Sequence, residues 1–347
     1  MPEIKWRFLD HSELGLSKNL ALDESILINR KDGVIPDTLR LWQAQKSISI
    51  GRNDDVKENI DLDVCKAHKM EIVRRVSNLG VFYHDLGVLN FSIVVSERSY
   101  QIPKEPLNAY KALYDGVAKA LSKLNLEVTL DQLIQKLYVK AKIVSKASHL
   151  YFYDCLLFQG FLIIDSDLDF INKVLKNSEK NLTSLKNELG IEQRVNEIKE
   201  LLIQCFEDSL NIKLEKQPLK DCEEKVSKRL YEKKYSNASW NLEGKAPLSF
   251  KDALIELLIA NPPTSMCKEV LDVVNKAIVG LEDRIEVIVY RRGLGVPPGV
   301  RVTAGLQKAG KESIIPSIII NGKLIYGERV PPEDELRDTI IKNLTST

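Results

Sequence analysis

Residues 73–92, VRRVSNLGVFYHDLGVLNFS, decide how this chain is to be read. Two strand-like runs flank a polar turn, and Arg74, Arg75, Ser77, Asn78, Tyr83, His84 and Asp85 all fall in or beside it. In the second run Leu89, Phe91, Ile93 and Val95 recur at every other position, the period of a half-buried strand. Polar groups held at the edge of a rigid sheet are the usual makings of a small-molecule site. Lys142 lies in a further strand-like run, AKIVSKAS at 141–148. Two Arg and a Lys suit a phosphate or carboxylate, since Arg gives bidentate hydrogen bonds and Lys a mobile point charge. A solvated cationic edge would use the same residues, and these residues alone leave both readings open.

Outward from that stretch, strands alternate with amphipathic helices from Lys5 to about Asp165. Leu107, Tyr110, Leu113, Val117, Leu121 and Leu124, for example, keep helical spacing. Residues 1–165 therefore read as one α/β unit. Residues 166–247 read as a helical extension packed on it, with Leu168, Ile171 and Leu175, then Val195, Ile198, Leu201, Leu202, Cys205 and Phe206 as apolar stripes. The pattern restarts over 248–347 as a separate domain, whose Asn321-Gly322 between two apolar runs predicts a hairpin turn.

Apolar residues make up 44% of the 347 and charged residues 29%, with 50 Lys and Arg against 49 Asp and Glu. A balanced charge provides no field to recruit nucleic acid or an anionic membrane. No apolar stretch approaches the roughly 18 residues of a membrane span, and the N-terminus shows no signal-like apolar core, so a cytoplasmic protein is expected. Five scattered cysteines without a C-x-x-C pair argue against a disulfide scaffold or a zinc cluster, and no metal ligand set is predicted among the side chains.

Several segments, taken in order, resemble the lipoate–protein ligases and related octanoyl transferases. WRFLD and NLALDESIL (6–10 and 19–27) are similar to that family's opening strand and helix, and LRLW and SISIGR (39–42 and 47–52) follow in order. The opening stretch resembles the family's Arg-Arg-x-Ser-Gly-Gly-Gly loop running into Tyr-His-Asp and a Leu-Asn strand. AKIVSKASHLYFYDCLLFQGFLIIDSDLDFINKVL (141–175) resembles the segment bearing its essential lysine, and LYEKKYSNASWNLEGKAP (230–247) its closing element. The resemblance spans residues 5–247. It implies a class II biotin/lipoate ligase-like mixed sheet with helices. It also implies ATP-dependent activation of lipoate or a related fatty acid as an acyl-adenylate, with Mg2+ on the phosphates, and transfer to a lysine of a lipoyl-acceptor domain. Carried over by position, Lys142 would be catalytic. Arg74, Arg75, Ser77, Asn78, Leu79, Gly80, Tyr83, His84, Asp85, Asn90 and Gly160 would line the substrate site.

The chain departs from this pattern where glycine would be expected. Asn78 and Leu79 replace two loop glycines, and Leu79 is expected to narrow the pocket. Ser145, Lys146, Ala147 and Ser148 stand for Gly-Ser-Ala-Gln after Lys142, and Phe158 stands near Gly160 where a histidine is expected. Residues 126–141 contain no cysteine, so the thioester route of the transferases lacks its nucleophile there. The C-terminal domain resembles a thioredoxin-like fold with Pro316 at the cis-proline place, but TSMC offers Thr264 and Cys267 where two cysteines are expected. Besides the ligase, a noncatalytic scaffold on a decayed ligase domain and a monothiol redox protein using Cys267 therefore stay open.

Overall fold

The computed structural model describes residues 4–10, 14–99, 101–152, 154–176, 181–247, 249, 251–294 and 302–344. Contacts divide the chain into two units, 1–245 and 246–347. Leu248, where the sequence places the start of the C-terminal domain, lies outside the described residues.

The first unit begins with β1 (Lys5–Asp10), α1 (Leu16–Lys31), β2 (Thr38–Trp42), β3 (Ser47–Ile50), α2 (Val56–Asn59), α3 (Leu62–Ala67) and β4 (Glu71–Arg74). It continues through β5 (Val81–His84), β6 (Val88–Ser96), α4 (Pro106–Lys123), β7 (Val128–Asp131), β8 (Lys136–Val139), β9 (Lys142–Phe152) and β10 (Cys155–Ile163). It closes with α5 (Leu168–Val174), α6 (Leu185–Leu189), α7 (Val195–Leu210), β11 (Lys213–Lys216), α8 (Asp221–Leu230), a π-helical turn (Tyr231–Tyr235) and α9 (Ala238–Glu243).

Every residue of β6 and of β10 is buried, so these two strands are covered on both faces and sit centrally. The eight-stranded mixed sheet runs β11-β1-β2-β6-β10-β9-β8-β7, and a three-stranded sheet runs β4-β3-β5. One face of the large sheet packs under α4 and α7. Leu113, Tyr114, Val117 and Leu121 of α4 and Ile198, Leu202 and Phe206 of α7 join Leu89, Phe91 and Phe158 in one core. The helices approach so closely that a Cβ on Gly116 would overlap the Phe206 ring. A second core lies around the small sheet, from Ile48, Ile50, Phe82 and Tyr83 to Phe161, Ile163 and the Phe170–Leu175 segment.

Two expectations change here. The opening stretch holds parts of three strands and not two: β4 ends at Arg74, β5 pairs with β3 in the small sheet, and β6 pairs with β2 and β10 in the large one. Residues 166–247 are not all helical either: Lys213–Lys216 adds a strand parallel to β1. Buried ion pairs fasten the closing helices. Arg7 forks onto Glu223 at 2.6 Å through each nitrogen, and Lys234 and the Tyr235 hydroxyl both reach Glu24. A bidentate guanidinium–carboxylate pair fixes geometry as well as charge.

The second unit comprises β12 (Ala253–Ile259), α10 (Ser265–Ala277), β13 (Ile285–Arg291), α11 (Ala304–Glu312), β14 (Ser317–Ile320), β15 (Lys323–Gly327) and α12 (Glu333–Asn343). Its sheet runs β13-β12-β14-β15, with β12 parallel to β13 and the other pairs antiparallel. Ile255, Leu257, Val270, Val274, Leu336 and Ile340 form one core; Leu258, Tyr290, Leu306 and Ile319 form the other. Asn321 and Gly322 both take positive φ, 48° and 80°, as the expected hairpin turn requires. Pro316 follows a cis peptide bond.

Candidate functional site

β3 carries Ser49 and Ile50 to the edge of the small sheet, and the loop after β4 folds back across it. Gly51 donates its N–H to Gly80 O and Arg52 its N–H to Ser77 O, both at 2.9 Å, while Asp54 Oδ2 accepts the Gly80 N–H at 2.7 Å. A Cβ on Gly51 would stand 3.0 Å from Leu79 N, so this glycine is needed for the close approach of the two segments. The strand-to-loop stretch 51–54 thus forms one side of the loop. Asp54, absent from the residues singled out by sequence, is its carboxylate anchor.

The two arginines hold this loop from beneath instead of facing solvent. Arg75, 1% exposed, donates to Ser49 O (2.9 Å), Ser49 Oγ (2.8 Å), Leu79 O (3.2 Å) and Gly80 O (2.9 Å), and lies 3.7 Å over the Phe82 ring. Arg74 is also buried and donates to the carbonyls of Gly51, Arg52, Asp54 and Trp240 at 2.8–3.0 Å. Burial lowers both guanidinium pKa values, with Asp54 opposing the shift. The expectation that they ligate a phosphate or carboxylate therefore meets a correction. A buried guanidinium must satisfy its donors, and here backbone carbonyls do so.

His84 is buried between Ser49 Oγ at Nε2 (2.7 Å) and Asn90 Oδ1 at Nδ1 (2.8 Å), and it stacks on Trp42. Asn90 donates its amide to Trp42 O, so its oxygen accepts from Nδ1–H and Nε2 accepts from the Ser49 hydroxyl. The relay Arg75–Ser49–His84–Asn90 is consistent in direction throughout. Burial, then the Arg75 charge, pull the imidazole pKa down to about 3 against the hydrogen bond to Asn90 Oδ1 that raises it. His84 is a neutral structural residue.

Ser77 joins a second buried network. Its Oγ donates to Gln159 Oε1 and meets Ser148 Oγ, each at 2.8 Å, while Gln159 Nε2 and Ser92 Oγ reach Asp23 Oδ2 and Arg40 reaches Asp23 Oδ1. Gln159, not Phe158, immediately precedes Gly160; Phe158 packs with Phe91, Tyr110 and Tyr114. Gly160 faces that same core, where a Cβ would overlap the Phe91 ring, so it does not line the site. Asp85 Oδ1 accepts from Gly87 N and Ser166 Oγ and stabilises the turn between β5 and β6.

Beside the loop lies a cavity of ≈230 Å³. Val81, Val88, Ile143, Phe161, Ile163, Ile171, Leu175 and Leu182 supply apolar walls, and Gly80, Asn59, Tyr83 and Lys146 supply polar ones. The Tyr83 hydroxyl is buried with no hydrogen-bond partner among the described residues. Burial first, and then the nearby Asp85 carboxylate, raise its pKa. Lys142 does not line this cavity. It is exposed at the start of β9, where Glu188 feels its charge. No cysteine lines the cavity either: Cys65, Cys155 and Cys205 are buried elsewhere, and burial pushes the first two thiols up to about 11.

Leu79 departs from its expected role. Its side chain is 44% exposed and absent from the cavity wall, while its backbone takes φ +67°. The loss of that glycine costs backbone strain and leaves the cavity open. An L-residue in this region costs about 1–2 kcal/mol, partly offset by the entropy a glycine loses on folding. Leu79→Gly is therefore expected to stabilise the first unit by up to about 1 kcal/mol, read as an increase in the urea midpoint. A lower midpoint would show that the Leu79 side chain makes a contact that outweighs the strain.

A family model described as the lipoyl protein ligase A/B catalytic domain matches residues 16–212. Octanoyltransferase LipM of Oceanobacillus iheyensis is 29% identical over 265 residues, covering 68% of this chain and 96% of that protein. A solved lipoate-protein ligase A bound with ATP superposes with a TM-score of 0.62 at 25% identity, over 70% of this chain and all of that one. A bi-partite lipoate protein ligase from Thermoplasma acidophilum, solved in work on that ligase and its E2 lipoyl domain, gives 0.61 at 24% identity, over 70% of this chain and 97% of its own. The mixed sheet with its helices is the fold of these ligases.

Proposed function

The chain belongs to the lipoyl protein ligase A/B catalytic-domain family, and on that premise we propose that it activates lipoate or a related fatty acid with ATP and passes the acyl group to a lysine of an acceptor domain. The observation that carries this is a cavity with mostly apolar walls that Gly80 of the loop and Lys146 also line. Apolar walls accommodate an acyl chain, and a few convergent polar groups orient its carboxyl end. The cavity is open, which favours catalysis over a decayed scaffold. The ATP-bound ligase structure supports a nucleotide substrate, and the Thermoplasma pairing supports a lipoyl domain as acceptor.

In this reading the carboxylate oxygen attacks the α-phosphorus of ATP, pyrophosphate leaves, and the adenylate is held in the cavity. The acceptor amine then attacks the carbonyl carbon and AMP departs. The described residues contain no cluster of three or more His, Cys, Asp and Glu able to hold a metal ion. Mg2+ would enter with ATP, held mainly by the phosphate oxygens and water, where it would neutralise phosphate charge. The absence of a cysteine from the cavity wall favours an adenylate over the thioester that transfer from an acyl carrier would use.

Purified full-length protein with lipoate or octanoate is expected to catalyse acid-dependent exchange of pyrophosphate into ATP. Failure of exchange combined with acylation of a lipoyl domain from octanoyl carrier protein, without ATP, would replace ligation by transfer. Failure of both would restore the scaffold.

The same proposal places the enzyme in the cytoplasm, and no described helix is long and apolar enough to cross a membrane. It takes the second unit as a thioredoxin-like domain without redox turnover, a reading that the β-α-β-α-β-β-α order supports. Thr264 caps α10 and donates its hydroxyl to Cys267 Sγ at 3.2 Å, and Ala260 N–H reaches the same sulfur at 3.4 Å. Burial alone would raise the pKa of this thiol, but those hydrogen bonds outweigh it and hold it below its ordinary value. The sulfur is nonetheless 0% exposed, and the other four cysteines belong to residues 1–245. A single thiol cannot release a mixed disulfide by internal attack. Insulin reduction with dithiothreitol is expected to run no faster with this protein than without it. A rate that is lost in Cys267→Ser would return the domain to redox chemistry.

A further inference from the structure

The strand that carries Lys142 and Lys146 is irregular at one point. β9 pairs with β8 through Val139↔Lys142, Tyr138↔Ile143 and then Leu137↔Ser145, so Val144 is an extra residue with no partner of its own. Such a bulge changes which residues point to which face. Val144 and Ala147 enter the core beneath α4, and Ser145 meets the Tyr114 hydroxyl of α4 at 3.1 Å, so these three share the α4 side. Ile143 and Lys146 line the cavity on the opposite face.

Cross-strand partners point to the same side of a sheet. Lys142 is paired with Val139, a member of the α4 core, and thus belongs at the exposed margin of the wrong face. Lys146 is paired with Phe161, a wall of the cavity. Unbroken alternation from Ile143 would have put Ser145 and Ala147 toward the cavity and turned Lys146 into the core.

The loop is shaped to this lysine. Gly80 is the one loop glycine retained from the family pattern, and a Cβ there would overlap the Lys146 ammonium. Gly80 also takes φ +75°, while at 79 the Leu side chain faces outward. Tyr83 lies in the same wall, with the Asp85 carboxylate near its hydroxyl.

We infer that Lys146, four residues beyond the family's lysine position, is the catalytic cation of this chain. Its ammonium meets the acyl carboxylate in the cavity and stabilises the charge that develops as the oxygen–phosphorus bond forms and pyrophosphate leaves. The inference rests on the proposed ligase reading and deepens it.

The test uses full-length Lys146→Ser and Lys142→Ala proteins. Serine is the residue of the family pattern at 146, and circular dichroism and the melting temperature establish that both variants fold. In acid-dependent ATP–pyrophosphate exchange, Lys146→Ser is expected to lose about 10²-fold in kcat/KM, the usual effect of removing one stabilising donor, and at least tenfold more than Lys142→Ala loses. Thermal stabilisation by octanoate without ATP should likewise fall more in Lys146→Ser. An equal or larger loss in Lys142→Ala, with an active wild type, overturns the assignment and leaves the ligase reading standing. A wild type that neither exchanges pyrophosphate nor binds octanoate removes both.

Discussion

Replacing Arg75 with methionine is expected to destabilise the first unit by about 2–4 kcal/mol and to abolish acid-dependent pyrophosphate exchange. Methionine fills much of the guanidinium's volume yet donates nothing. Ser49 O and Leu79 O would each lose a donor, and a buried acceptor left unpaired costs about 1–3 kcal/mol, while Gly80 O would keep only the Gly51 N–H. The contact with the Phe82 face is lost as well. Function fails for a separate reason: without the donors under Leu79 and Gly80, the loop that borders the cavity is no longer fixed. Arg75→Lys keeps the charge but not the fork geometry, so it should recover only part of the stability. Trp6, Trp42 and Trp240 are the chain's three tryptophans and all lie within residues 1–245, so tryptophan fluorescence during urea unfolding reports on this unit. An Arg75→Met protein within 1 kcal/mol of wild type would mean that the loop carbonyls find other partners.

The same residue shows how far the sequence could be read. The helical stripe from Leu107 to Leu124 and the Asn321-Gly322 turn depend on local periodicity and turn chemistry and are present as expected, whereas the alternation of Leu89, Phe91, Ile93 and Val95 gave the strand but not its burial, since β6 is covered on both faces instead of half-buried. The direction of a charged side chain has no such local signature. Arg74 and Arg75 look alike in sequence whether they face a ligand or their own loop, and only the return of residues 51–54 and 240–242 shows which carbonyls they meet. Lys142 and Lys146 posed the same problem. A one-residue bulge reverses facing, and nothing in AKIVSKAS marks Val144 as the extra residue. Asp54 carried a faint signal, since a carboxylate just after SISIGR sits where a loop's N–H groups need an acceptor. Asp23 and Gln159 carried less, because the network that joins them to Ser77 is assembled from α1 and β10, far apart in the chain.

Acid should expose the neutral state of His84. In the unfolded chain an imidazole binds its proton near pH 6.5, whereas in the fold burial and the Arg75 charge hold it unprotonated down to about pH 3. Between these values the unfolded state carries about one more proton than the folded state, so stability rises with pH across the window. The contribution of His84 is complete above pH 6.5, is lost as the pH falls toward 3, and levels off below that. The slope approaches 1.4 kcal/mol per pH unit, and the whole window amounts to about 5 kcal/mol. His84→Gln isolates this share, because an amide oxygen can accept from the Ser49 hydroxyl and an amide N–H can reach Asn90 without titrating. His149, whose pKa burial also lowers, is present in both proteins and cancels from the difference. Urea unfolding followed by tryptophan fluorescence from pH 7 to 4 should show the wild type losing stability more steeply than His84→Gln, by about one proton's worth. Parallel curves would mean that the imidazole gains its proton in the folded state as easily as in the unfolded one, with Nε2–H then donating to the Ser49 hydroxyl.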